Sequence, residues 1–83
     1  MNFYNFMMKH YRKGSSDKTA LAAEMHKDYE MFPKNGQGKF DGWHRILYNH
    51  LERHGATAER LVTFEECWEE YVKCEKARLR RSL

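Results

Sequence analysis

Apolar residues recur at intervals of three and four along most of the chain, the spacing that lines side chains up on one face of an α-helix with about 3.6 residues per turn. In NFYNFMMKHYR the stripe is Phe3, Phe6, Met7 and His10, with Tyr11 beside it, and a short amphipathic helix is predicted. KGSSDK interrupts the pattern. There Ser15, Ser16 or Asp17 can accept the unpaired amide hydrogens that open a second helix, running through Leu21, Ala22, Met25 and Tyr29. Pro33 disfavours the α conformation at Phe32, so this helix is expected to stop near Met31.

Asp41 can cap a third helix over GWHRILYNHLERH, with Trp43, Ile46, Leu47, His50 and Leu51 facing inward, and Gly55 supplies the left-handed residue that ends it. In VTFEEC, Thr63 and Glu66 have the spacing of a reciprocal capping box, and Val62 and Cys67 that of a hydrophobic staple, which predicts a fourth helix starting there. Its apolar face is Phe64, Cys67, Trp68, Tyr71 and Val72. KCEKARLRR can continue it by about two turns. The one strand candidate, around Leu61 and Val62, is too short to pair.

The expected fold is therefore all-α, a compact single domain of four to five short helices. Its expected core is Phe3, Phe6, Leu21, Met25, Phe32, Trp43, Ile46, Leu47, Leu51, Phe64, Trp68, Tyr71 and Val72. A chain of 83 residues has no room for a second core, and five Phe, five Tyr and two Trp supply the large side chains on which so small a domain depends. Residues 1–72 read as the helical domain and 73–83 as a basic C-terminal helical extension or tail.

Charge changes the picture at the two ends. The net charge is +3, yet residues 1–14 contribute +3 and residues 73–83 contribute +4, which leaves 15–72 at −4. An anionic partner would meet the ends. Within the fourth helix Glu65, Glu66, Glu69 and Glu70 precede Lys73, Lys76, Arg78, Arg80 and Arg81, the order that complements the helix dipole. Cys67 and Cys74 lie about 10 Å apart along such a helix and cannot bridge each other. Two unpaired thiols, with an N-terminus that lacks the apolar stretch of a signal peptide, predict a cytoplasmic protein. No apolar run approaches the roughly 20 residues that span a bilayer, so no membrane role is expected.

Several segments together resemble a known family. FYNFMM, then LAAEM followed by Phe32, Pro33 and Lys34, then FEECWEEYV occur in the order and approximate spacing of the small bacterial YozE-like proteins. The F-x-x-x-W-x-x-Y element of Phe64, Trp68 and Tyr71 is the most specific of these. The resemblance covers most of residues 2–72 and implies a SAM-like fold, a compact bundle of short helices. It implies no enzymatic activity and carries no catalytic residue across. Members of the family tend to be acidic and to end soon after the W-x-x-Y element, whereas this chain is basic and adds KCEKARLRRSL.

Three motifs could carry chemistry. The loop PKNGQGKFDG holds Gly36, Gly38 and Gly42, but Lys39 is followed by Phe40 where a phosphate-binding loop needs Ser or Thr, and a helix precedes it where a strand is required. The string also misses the dinucleotide-binding spacing, so a turn between helices is the reading. His50 and His54, at i and i+4, share a helical face and could share a metal, but HLERH lacks the order that positions a catalytic glutamate. Neither His10 nor Cys74 can be placed as a third ligand, and partly buried or helix-end histidines are the expectation. Cys67 falls on the apolar face and reads as a packed small hydrophobe, while Cys74 is the more exposed thiol. No enzyme, metal, cofactor or small-molecule substrate is expected.

What remains is binding. The leading reading is a non-catalytic module that docks on another protein, a second copy included, because acidic middle and basic ends suit a partner of mixed charge. The alternative is nucleic-acid binding through the phosphate backbone by Arg45, Arg53, Lys73, Lys76, Arg78, Arg80 and Arg81, with Tyr4 or Tyr48 to stack a base. Lys73, Lys76 and Arg80 would share one face of the extension. The bland alternative is a solvated helix end that frays at Ser82 and Leu83. A third role, blocking a host factor on behalf of a phage, is one that small single domains also fill.

Overall fold

Side-chain caps set where the helices begin. In the computed structural model, which describes residues 1–34 and 40–81, Asn2 Oδ1 accepts a hydrogen bond from the Asn5 amide at 2.8 Å and opens α1 (Phe3–Met8). Of the three expected candidates, Ser16 is the cap: its Oγ accepts from the Thr19 amide at 3.3 Å and opens α2 (Asp17–Lys27). Helices α3 (Phe40–Arg53) and α4 (Ala58–Arg81) follow, and no strand occurs among the described residues. The fold is all-α. The glycine-loop reading at Gly36 and Gly38, and the fraying expected at Ser82 and Leu83, lie outside the described residues, while Gly42 belongs to the first turns of α3.

Helix α1 stops at Met8, short of the expected His10 and Tyr11, and three further boundaries differ from expectation. Helix α2 ends at Lys27 rather than near Met31, because the chain turns at Asp28, whose carbonyl accepts from the amides of Met31 at 3.1 Å and Phe32 at 2.9 Å. That turn returns Phe32 to the core, where it is buried. Helix α3 already includes Phe40, so Asp41 lies inside the first turn, where its charge still favours the positive end of the dipole. Helix α4 starts at Ala58, capped by Thr57 Oγ1, which accepts from the Arg60 amide at 3.1 Å. The expected capping box and staple therefore do not form. Thr63 sits inside the helix and donates its hydroxyl to the Glu59 carbonyl at 3.2 Å, and Val62 is exposed. The earlier start wins because Ala58, Glu59, Arg60 and Leu61 are good to fair helix formers that add over a turn of backbone bonds and bring Leu61 against the core.

Helix α4 is the spine against which α1, α2 and α3 each pack, and α1 also packs on α2. Phe3 is the aromatic hub, with ring centroids 5.3 Å from Trp68, 5.4 Å from Phe64, 5.5 Å from Tyr71 and 6.3 Å from Phe6. Edge-on and tilted pairs of this kind add specificity to their apolar burial. Tyr4, Met7, Ala22 and Cys67 join the core alongside the expected residues. Trp43 and Val72 pack on it only partly buried, and Ile46 is a correction, being 45% exposed. Among the described helices α3 packs on α4 alone, and it turns Leu47, Leu51 and the His44 ring toward it, which leaves Ile46 off the contact. Gly55 ends α3 at φ +85°, with the Ala56 amide bonded to the Leu51 carbonyl at 3.0 Å.

Candidate functional site

A helix buried on one side presents its other side to solvent, and on α4 the two sides differ in chemistry. Phe64, Cys67, Trp68 and Tyr71 are buried. Lys73, Lys76 and Arg80 lie roughly opposite that face by helical phase and are exposed, with Arg81 exposed beside them. The common face expected for Lys73, Lys76 and Arg80 thus continues a regular helix to Arg81.

The N-terminus and α1 meet the same end of the molecule. Glu75 is buried in α4, with its side chain 8% exposed, because it receives the Met1 amino group at 2.5 Å and Arg78 Nε at 3.2 Å. The Tyr71 hydroxyl donates to the Met1 carbonyl at 2.8 Å. These contacts lay α1 against α4 and form a groove of about 250 Å³ between Asn5, Phe6 and Lys9 on one side and Cys74, Glu75 and Arg78 on the other. Lys9 Nζ rests 3.9 Å from the centre of the Phe6 ring. On the other flank, a groove of about 550 Å³ sets Lys73 and Lys76 beside Asp41, Glu69, Phe40 and Val72.

Of the candidate contacts, Lys73, Lys76, Arg78, Arg80 and Arg81 are gathered on this end of α4, joined by Lys9. Arg53 closes α3 just before α4 begins, and α4, 24 residues long, separates it from Arg81 by about 36 Å of helix. Arg45 is exposed on the middle of α3. Tyr4 is 5% exposed and cannot stack on a base, while Tyr48 is half-buried against the core. The sequence does not show Lys9 and Glu75 as parts of this end, since they meet only through the packing of α1 on α4 and the contacts of Met1.

The titratable groups elsewhere in the domain differ in burial and in their partners. Burial pushes the Cys67 thiol up to about 11, which leaves almost no thiolate near neutral pH, and Cys74 is exposed. Lys18 Nζ lies 2.5 Å from Glu70 Oε1, and this hydrogen bond holds Glu70 below and Lys18 above their ordinary values. His10 Nε2 is buried and makes no hydrogen bond among the described residues, and burial lowers its pKa. The His50 and His54 rings stand 4.2 Å apart, and the third group beside them is neither His10 nor Cys74 but Asp28, whose Oδ2 lies 2.6 Å from His50 Nε2.

The model of the YozE SAM-like fold family matches residues 2–73. The chain belongs to this family. Phe64, Trp68 and Tyr71, the residues that carried the resemblance, are buried together in its core, so the YozE element reports packing. The match ends at Lys73, inside α4, and the cationic turns lie beyond it. No curated protein and no solved structure matches the chain. Among the described residues no helix is long and apolar enough to cross a membrane.

Proposed function

We propose that this YozE-type domain is a non-catalytic docking module that works in the cytoplasm and binds an acidic protein surface through the cationic end of α4. The observation that supports the reading is the row of exposed cations Lys73, Lys76, Arg80 and Arg81 along the end of α4, with Lys9, the C-cap of α1, across a groove from Cys74 and Arg78. A protein partner is favoured over a nucleic acid because Asp41 and Glu69 border Lys73 and Lys76 in one groove. A polyphosphate chain would be repelled there, whereas a protein surface can answer both signs. The buried, protonated Cys67 supports a structural use of that thiol.

The test is fluorescence anisotropy at low salt with a labelled glutamate-rich peptide, and with DNA and RNA oligonucleotides of equal charge. The peptide is expected to bind more tightly than either oligonucleotide, to weaken with added salt, and to lose about tenfold or more in affinity on joint replacement of Lys73, Lys76 and Arg80 with alanine. Absence of peptide binding would overturn the proposal. Tighter oligonucleotide binding, with a salt slope that shrinks by about one for each cation removed, would also overturn it and establish the nucleic-acid reading.

A further inference from the structure

We propose that Asp28, His50 and His54 form a binding site for a borderline divalent transition-metal ion of the zinc class, with water completing the coordination shell. The sequence places His50 and His54 one turn apart at the end of the third helix but offers no third ligand within reach. The fold supplies it. Asp28 closes α2 as its C-cap, and its carboxylate meets His50 across the groove between the ends of α2 and α3.

The geometry suits chelation. The His54 amide bonds to the His50 carbonyl at 3.1 Å, so the helical turn holds through His54 and keeps both imidazoles on one side. One ligand atom from each of the three residues lies within 4.8 Å of the others. Zinc bonds of about 2.0 to 2.1 Å in a tetrahedral shell put ligand atoms about 3.3 Å apart, so no pair need close by more than about 1.5 Å. His54 is exposed and can swing by that much, whereas the His50 side chain is 14% exposed and held edge-on by Phe32, with ring centroids 5.3 Å apart. A cation would take the position now bridged by the hydrogen bond between Asp28 and His50.

The electrostatics also favour a cation. Helices α2 and α3 both end at this groove, so the negative ends of two helix dipoles face it. Of the cationic groups nearby, Arg60 is paired with Glu24 at 2.9 Å, and Lys27, which lines the groove, is exposed. Two imidazoles and one carboxylate match the preferences of zinc, cobalt, nickel and copper, and disfavour magnesium or calcium, which take oxygen donors. The groove, about 390 Å³ and open on one side, leaves room for coordinating water. A metal there would tie the end of α2 to the end of α3, two helices that meet in the fold chiefly through α4.

The site lies near the start of α4, away from the docking end, and the inference does not depend on that reading. The experiment takes the full chain, stripped with a chelator, and titrates Zn²⁺ and Co²⁺ by calorimetry, by Co²⁺ absorption and by Tm. Saturable one-to-one binding is expected, with a low-symmetry Co²⁺ spectrum and a Tm that rises with metal concentration. Asp28→Asn and His54→Ala, each checked for unchanged helicity by circular dichroism, are each expected to weaken binding about 100-fold, since loss of an outer-shell partner already costs about 10- to 100-fold. His26→Ala and Cys74→Ser are expected to leave it unchanged. No saturable binding of either ion, or binding that survives Asp28→Asn and His54→Ala, would overturn the proposal.

Discussion

The two cysteines show how one helix gives the same side chain two chemistries. Cys67 is fully buried beside Phe64 and Trp68, and desolvation of the thiolate raises its pKa to about 11. Cys74, two turns on, is exposed. A thiol-specific disulfide reagent at about pH 8 is therefore expected to modify Cys74 rapidly and Cys67 only as fast as the domain opens. Rapid reaction of both thiols, read by absorbance, would show that the α4 core face is accessible. Cys67 was legible as a core residue because helical phase alone puts it beside Trp68. Ile46 was not, because the same periodicity is compatible with either rotation of α3, and only packing on α4 chooses between them.

At the scale of elements, two glycines have opposite roles. Gly55 ends α3 at φ +85°, and an added Cβ there would meet no other atom within 4 Å, so the cost of Gly55→Ala is purely conformational. About 1 to 2 kcal/mol of destabilisation is expected. Gly42 lies within α3 with equally open space around it, and Gly42→Ala is expected to stabilise by roughly 0.5 to 1 kcal/mol. Urea unfolding with unchanged m-values checks both signs. The Gly55 stop was readable from local chemistry. The start of α4 was not, because Thr57 and Thr63 are both plausible caps, and the longer helix gains its advantage from Leu61 meeting a core built by other segments.

Toward acid pH the whole molecule answers through two groups whose native values fall below their unfolded ones, His10 and Glu70. Burial lowers His10, whose ordinary value is 6.5, and the neighbouring Lys9, Lys13 and Lys18 lower it further against a smaller opposing effect of Glu70. As pH falls through 6.5 the unfolded chain takes up this proton first, so stability present above that pH is lost toward the native pKa. Glu70, depressed by its bond to Lys18, adds a second loss below its ordinary value of 4.5. The drop in Tm between about pH 7.5 and about pH 5.5 is expected to be smaller in His10→Leu than in the parent chain. An equal drop in both would show that His10 is solvated.

The sequence by itself determined the helical class, the aromatic core around Phe3, Phe64, Trp68 and Tyr71, a cap for α2 among Ser15, Ser16 and Asp17, and the stop at Gly55. Each depends on periodicity or on backbone chemistry within a few residues. Tertiary structure alone decided which distant groups meet. Met1 reaches Glu75 across 74 residues, the packing of α1 on α4 brings Lys9 beside Cys74 and Arg78, and Asp28 reaches His50 across 22. Spacing along a chain governs only neighbours on the same turn, whereas these pairings arise from how the helices dock on α4.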